Sequence, residues 1–388
     1  MENLHTKPCP MQLRKAFKFE IMPNGSQIRR IKQFCGCSRF VFNRALAWQN
    51  EQYGQDNSFK FSYTKIANLL PQWKKELVWL KACHSQVLQQ SLKDLESAFK
   101  NFFQQRADFP KFKKKGVKER FRFPQGCKLE QQNNRIWLPK IGWVRYRNSR
   151  DIVGEIKNVT VSQKCGHYFV SIQTEFEYEI PTHKGGEIGI DMGVARFATL
   201  SNGEFFEPLN AFKTDKGKLA KLQRQLKNKV KFSQNWQKLK AKIAKLHHKI
   251  ANCRKDFLHQ TSSKISKNHA MIYVEDLQVS NMSRSAKGTV EEHGKNVKQK
   301  AGLNRSILDQ SWFEFRRQLS YKTQWQGGFL VAVPAQNTSR TCPCCGHVAK
   351  ENRQTQANFE CVECGYTENA DVVGAMNVLA RGRAIVQA

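Results

Sequence analysis

The sequence predicts an α/β protein of several domains, with a strand-rich first part that carries a helical insertion and a second part that mixes strands, long helices and a cysteine module. Three observations predict it. Apolar and polar residues alternate at 11–21 and in short runs over 121–180, apolar residues recur every three or four positions in 27–105 and 213–267, and two close cysteine pairs stand near the C-terminus. With 388 residues, 40% of them hydrophobic and 26 of them Phe, the chain has room for two or three domains with real cores.

Taken in order, Leu13, Phe17, Phe19 and Ile21 alternate with Arg14, Lys18 and Glu20, the period of a half-buried strand. Pro23-Asn24-Gly25 ends it, and Ser26 can cap the helix that follows, so 1–26 holds a first strand. Residues 27–105 are helical, with Ile28, Ile31 and Cys35 and then Val87, Leu88, Leu92, Leu95 and Phe99 at helical spacing. Residues 106–184 open on a basic, aromatic run and continue as short strands, a small β-barrel or sheet expected to recruit strand 11–21 across the helical insertion.

A third region, 185–340, begins with two strands in 187–200, a turn at Asn202-Gly203 and a short strand at 204–206. Leu219, Leu222, Leu226 and Val230, then Trp236, Leu239, Ile243, Leu246, Ile250, Cys253 and Phe257, describe a helical hairpin over about 213–267, broken near 232–235. A strand at 271–277, an aperiodic loop at 280–300, a helix over 304–325 and a strand at 328–333 follow. The cysteine module occupies 341–366, and a last helix, from about 371, lies in 367–388. There is no internal repeat.

Charge narrows the partners. The chain has 65 Lys and Arg against 32 Asp and Glu, a net charge of +33, which strains a compact fold unless a polyanion shares the bound state. Nucleic acid is the partner this favours; a membrane surface is the plainer alternative, but no stretch approaches about 18 apolar residues. The start, Met-Glu-Asn-Leu-His-Thr-Lys, lacks an apolar secretory core and points to the cytoplasm. Twelve cysteines, four of them in metal-binding spacing, fit a reducing compartment.

Two basic segments are candidate phosphate surfaces. In 106–123, Arg106, Lys111, Lys113, Lys114, Lys115, Lys118, Arg120 and Arg122 are interleaved with Phe109, Phe112, Phe121 and Phe123, cations for phosphates and rings for unstacked bases. The plainer reading is a solvated lysine turn whose phenylalanines begin a strand. The hairpin 213–267 holds 17 basic and two acidic residues, Arg224, Lys227, Lys238 and Lys242 among them. Gln86 and Gln90, with Ser85 and Gln89, can pair with adenine edges or be an ordinary polar helix face.

The most specific signal is the pair of C-x2-C knuckles, Cys342/Cys345 and Cys361/Cys364, separated by 15 residues. Four thiolates can close one tetrahedral Zn²⁺ site, structural because no position stays open, with Cys344 as a spare; free buried cysteines or a redox pair are the alternative. The second signal is acidic. Asp191 ends Ile188-Gly189-Ile190, Glu275 ends Met271-Ile272-Tyr273-Val274, and Asp371 stands at the start of the last helix. A buried strand-end carboxylate is costly without a cation, and three such acids can hold two Mg²⁺ ions for phosphodiester hydrolysis. Singly, each can cap a helix or close a turn, Asp371 as an N-cap.

Gly189-Ile190-Asp191-Met192-Gly193, Val274-Glu275-Asp276-Leu277, the segments 302–309 and 337–342, the two knuckles and Asp371 through Asn377 together resemble the TnpB (OrfB) family of transposon-encoded RNA-guided nucleases, relatives of type V CRISPR effectors. The resemblance covers essentially the whole chain and is strongest over 185–381. It implies a RuvC-like nuclease domain of RNase H fold, interrupted by the helical hairpin and a zinc ribbon. It also implies a preceding wedge β-barrel with an inserted helical recognition domain. Asp191, Glu275 and Asp371 match the family's metal-binding triad, and Cys342, Cys345, Cys361 and Cys364 its zinc ligands. Expected partners are a guide RNA made from the transposon end and double-stranded DNA beside a short transposon-adjacent motif, read in a bacterial cytoplasm, at the nucleoid, by a monomer on its RNA. Loop 280–300 is a candidate gate. Many members carry x-Asn-Ala-Ala-x-Asn after the last Asp, where this chain has Val373 and Gly374 in place of Asn and the first Ala.

Two other classes stand beside this reading: an RNA-guided DNA binder that represses without cutting, and an unguided transposase or plain zinc-ribbon nucleic-acid binder. Retention of all three acids argues against the first. There is no His-x-His pair for a single-strand transposase, the acid order is Asp-Glu-Asp, and no phosphate loop G-x4-G-K-[ST] appears.

Overall fold

A computed structural model describes residues 11–387. Residues 1–10 of the expected first segment, including the start read for targeting, and residue 388 lie outside the described residues. The chain divides into two compact units, split between Glu179 and Ile180.

The N-terminal unit begins with β1 (Met11–Met22), whose Leu13, Phe17, Phe19 and Ile21 are buried in the expected alternation. Helix α1 (Gly25–Gln55) follows, and its N-cap is Asn24 rather than Ser26: the Asn24 side chain accepts from the Gln27 N–H while Gln27 answers the Asn24 N–H, a capping box. Helices α2 (Tyr63–Ala67) and α3 (Leu70–Glu76), a 3-10 turn (Val78–Ala82) and α4 (Ser85–Phe103) complete the helical insertion. The strands β2 (Arg120–Phe123), β3 (Lys128–Glu130), β4 (Arg135–Leu138), β5 (Gly142–Tyr146), β6 (Glu155–Lys164) and β7 (His167–Tyr178) then join β1. The sheet order is β2-β6-β7-β1-β5-β4-β3, so β1 is recruited into the middle across the insertion, antiparallel to β7 and β5. Among the described residues no ladder joins β2 to β3. One core, from Phe17 through Ile31, Leu88 and Leu95 to Val170, spans helices and sheet.

The C-terminal unit is built on β8 (Gly186–Asp191), β9 (Ala198–Leu200) and β10 (Phe205–Phe206), followed by the hairpin α5 (Ala211–Lys227) and α6 (Gln234–Asn268). Strand β11 (His269–Glu275) leads to the short helix α7 (Val279–Met282). Next come α8 (Val297–Gln310), α9 (Trp312–Trp325) and β12 (Phe329–Val333). The cysteine module contributes β13 (Asn358–Glu360) and β14 (Thr367–Asn369), so its second strand runs past the expected end at 366, and α10 (Ala370–Gln387) closes the chain. Five strands form a mixed sheet in the order β10-β9-β8-β11-β12. β8, β11 and β12 are parallel, and β9 and β10 continue antiparallel from β8.

Two expectations are corrected here. The single helix over 304–325 is two helices, because Ser311 stands at φ +58° between α8 and α9, a left-handed geometry that ends one helix and redirects the next. The loop 280–300 is partly ordered: it contains the end of α7, a Gly288–His293 bridge and the start of α8. The hairpin packs as expected through Leu219, Leu246 and Ile250, with Leu222 and Ile243 beside them, while Cys253 is exposed despite its helical spacing. Asp309 of α8 ties the hairpin down, accepting from the Phe212 N–H at the start of α5 and pairing with Arg254 of α6.

Candidate active site

Parallel pairing fixes the first two acids. Val274 stands opposite Ile190, so Glu275 and Asp191 are the next residues out at the carboxyl ends of adjacent strands. Helix α10 brings the third. It crosses β8 closely enough that a Cβ on Gly189 would overlap the Ala375 carbonyl and the Leu379 backbone, which makes glycine obligatory there. One turn before Ala375, Asp371 lies on the same helix face as Gly374. A Cβ on Gly374 would sit 3.3 Å from the Asp191 carboxylate, so this glycine leaves the acid room where the family pattern has alanine. Val373 packs with Cys342, Phe359, Cys361 and Ala370. The two departures in this motif therefore fit the packing. Asp371 is not the N-cap; the Asn369 side chain accepts from the Asp371 N–H at 3.1 Å, leaving the Asp371 carboxylate free for the site.

The electrostatics are those of crowded acids in a dry place. Glu275 is 7% exposed. Burial pushes the Asp191 carboxyl up to about 8, with the negative charges of Glu275 and Asp371 adding to the rise and Arg353 opposing it. Burial also raises Glu275, against the pull of a hydrogen bond from Thr338 and the charges of Arg381 and Arg353. The Thr338 hydroxyl donates to Glu275 Oε1 at 2.6 Å, and the Asn377 amide of α10 donates to the Thr338 and Thr341 carbonyls at 2.7 Å each. Arg381 further braces this segment through the Pro334 and Gln336 carbonyls. Arg353, from the cysteine module, approaches Asp371 at 3.6 Å. Thr338, Asn377 and Arg353 are site residues that sequence reasoning gave no role; Thr338 and Asn377 lie inside family-like segments, but their partners are far away in the chain.

The four knuckle cysteines come together: their sulfurs all lie within 4.8 Å of one another, with Cys342–Cys364 and Cys345–Cys361 at 3.6 Å. A tetrahedron of Zn–S bonds near 2.3 Å has edges of about 3.8 Å, so the set fits one ion of that size. Cys344 is exposed and outside the group. The three carboxylates offer hard oxygen donors, the kind that suits Mg²⁺.

The basic candidates scatter. Lys114, Lys115, Lys118 and Arg120 are exposed, Lys111 pairs with Asp108, and Arg122 pairs with Asp94. Lys113 is half-buried: its ammonium sits 3.7 Å from the Phe42 ring centre, its backbone is clasped by Asn43, and burial lowers it to about 8. Phe121 and Phe123 are core, whereas Phe109 and Phe112 remain exposed. Gln86 and Gln90 are half-buried on α4, and Arg224, Lys227, Lys238 and Lys242 are exposed on the hairpin. Among the described residues no helix is long and apolar enough to cross a membrane.

Comparison with known proteins closes the question of kinship. Residues 167–286 match the OrfB_IS605 family, described as "Probable transposase", and 312–378 match "Cas12f1-like, TNB domain". Residues 11–58 match a family described as "Helix-turn-helix domain", although here they form one strand and one unbroken helix. The chain is 57% identical to the "Putative RNA-guided DNA endonuclease InsQ" of Escherichia coli (strain K12), over 97% of this chain and 94% of that one. It is 31% identical to the "Putative RNA-guided DNA endonuclease" of Streptomyces pristinaespiralis, over 96% and 90%. In fold it is similar to the protein of the "Cryo-EM structure of the Cas12f1-sgRNA-target DNA complex", with TM-score 0.56 and 12% identity over 95% of this chain and 98% of that one. Relatives that match nearly the whole chain, all named as endonucleases, define its class as an endonuclease. The chain belongs to the TnpB (OrfB) family, whose curated relatives above are named as RNA-guided DNA endonucleases.

Proposed function

We propose that this chain is an RNA-guided DNA endonuclease that cuts double-stranded DNA beside a short transposon-adjacent motif, with Asp191, Glu275 and Asp371 as its catalytic acids. The observation that carries the reading is the convergence of the three acids at one end of the five-stranded sheet, two of them buried and raised, with Arg353 and Arg381 as compensating cations. Such a cluster is stable in its charged form only when cations join it. When bound, two Mg²⁺ ions supply charge stabilisation for both the attacking and leaving oxygens of a phosphodiester. The protein's part is to fix the acids: β8 and β11 by register, Asp371 by the closely packed α10, and Glu275 by the Thr338 hydroxyl. The strand order β10-β9-β8-β11-β12, with its parallel centre and antiparallel edge, supports an RNase H-type, RuvC-like domain.

In the same reading the four thiolates hold one structural Zn²⁺ in a ribbon spanning 341–366 and its flanking strand. The seven-stranded sheet with its helical insertion serves as the wedge and recognition domains. A guide RNA from the transposon end reads the target by base pairing, and the exposed cations of α5 and α6 hold RNA or heteroduplex backbone, in the cytoplasm, at the nucleoid. Gln86 and Gln90 remain the candidates for motif contacts. The test is to purify the protein expressed with its flanking transposon end, sequence the RNA that copurifies, and assay Mg²⁺-dependent cutting of a guide-matched plasmid library beside Asp191→Ala. A discrete RNA and a cut lost in the variant are expected. A discrete RNA with target binding but no cut in the wild type would favour the repressor, and no discrete RNA would contradict guidance.

A further inference from the structure

A cavity of about 420 Å³ opens directly beside Glu275, walled by Met192, Gln278, Trp312, Phe313 and Arg316. Its size falls in the range of built small-molecule sites, roughly 300–1,000 Å³. Its wall is unusual for a solvent-filled cleft. Phe313 is 76% exposed, a large flat ring left in water within the same cavity as a catalytic acid. The left-handed Ser311 sets this up: by breaking α8 from α9 it starts a new helix whose first two residues are Trp312, buried in the core, and Phe313, turned outward. The Trp312 indole N–H has no acceptor among the described residues. Polar groups complete the wall: the exposed Gln278 amide, and Arg316, which bonds Asp276.

We propose that this cavity takes one unstacked nucleobase of the DNA strand whose phosphate lies over Asp191, Glu275 and Asp371, with Phe313 as the stacking platform. The inference rests on the active-site reading above and deepens it. Because Glu275 is both cavity wall and triad acid, a phosphate at the acids brings the base of a neighbouring nucleotide to the cavity mouth. A paired base is held inside its duplex and cannot enter; an unpaired one exposes a π-face that a phenyl ring stacks on regardless of sequence. The pocket therefore makes the site selective for single-stranded DNA, and it does so without reading which base is present. Gln278 and Arg316 offer donors to base edges or to the flanking phosphate.

The test uses the whole ribonucleoprotein and guide-matched targets in which a single abasic nucleotide is walked along the cut strand. The wild type should lose cleavage rate about 5- to 100-fold at one abasic position beside the cut, with target binding unchanged. Phe313→Ala should be slower by a similar factor on intact DNA and indifferent to that abasic position, while Phe313→Trp restores both rate and abasic sensitivity. A wild type indifferent to every abasic position near the cut, or a Phe313→Ala variant that keeps the penalty, would overturn the pocket. Cutting that survives Asp191→Ala would overturn the active-site reading on which the pocket rests.

Discussion

Glu275 shows how ordinary parts build the proposed catalytic site. Its carboxylate is buried at a strand end and oriented by one hydroxyl, that of Thr338, which is itself anchored by Asn377 on the helix that carries Asp371. Replacing Thr338 by Val keeps the shape and removes the hydrogen bond. Outer-shell changes of this kind cost about 10- to 100-fold in metal affinity or activity, so Thr338→Val should slow cleavage by that factor and raise the Mg²⁺ concentration needed, while RNA binding stays unchanged. Cleavage titrated against Mg²⁺ checks it; an unchanged rate and Mg²⁺ dependence would remove Thr338 from the site. Asp191 and Glu275 were legible in the sequence because a carboxylate that ends an apolar strand is a physical anomaly at any position. Thr338 and Asn377 were not, since a threonine and an asparagine are unremarkable until the fold brings in partners 63 and 39 residues away. Lys113 differs from the exposed lysines around it, because its ammonium lies over the Phe42 ring. Its depressed value, about 8, lies below that of an unfolded lysine near 10.4, so between those values the unfolded chain binds more protons and stability rises with pH. Thermal melts should therefore show wild type gaining on Lys113→Met between pH 7 and pH 9.5; a constant difference would contradict the buried ammonium.

At the scale of elements, the cysteine module does more than close on itself. Its turn carries Arg353 to Asp371, and its core shares Val373 with α10, so the cysteine cluster and the first turn of the last helix are one packed piece. Cys361→Ser, or a strong chelator, should therefore lower both the melting temperature and the cleavage rate while leaving RNA capture intact. Melting curves and gel-shift titrations on the same sample separate the two effects; unchanged cleavage after zinc removal would detach the module from the site. Most elements were legible from periodicity: β1, the hairpin α5–α6 and β11 fall where the pattern puts them. The break at Ser311 was not, because a serine at positive φ leaves the helical spacing on both sides undisturbed. Phe121 and Phe123 were read beside Phe109 and Phe112 as possible base-stacking rings. The alternation of period two that buries the first pair in β2 is only four residues long.

Across the whole molecule, a net charge of +33 surrounds a small acidic centre. In the proposed reading the positive surfaces gather polyanion and the acids take up cations before a phosphate approaches, so RNA binding should depend on salt and cutting on the triad. The order strand-Asp, strand-Glu, four-cysteine module, helix-Asp was legible from one end of the second unit to the other, and the curated relatives share nearly the full length of the chain. Which surfaces touch RNA was not legible, because exposed lysines in a chain this basic look alike. Reprogramming the guide separates an RNA-guided cut from an unguided one. The guide segment of the copurifying RNA is replaced by a new sequence, and cuts are mapped on a plasmid carrying the new match beside the same flanking motif, with wild type and Asp191→Ala in parallel. The wild-type cut should move to the new match and disappear in Asp191→Ala. A cut that stays where it was, or one that persists without Asp191, would contradict the proposed function.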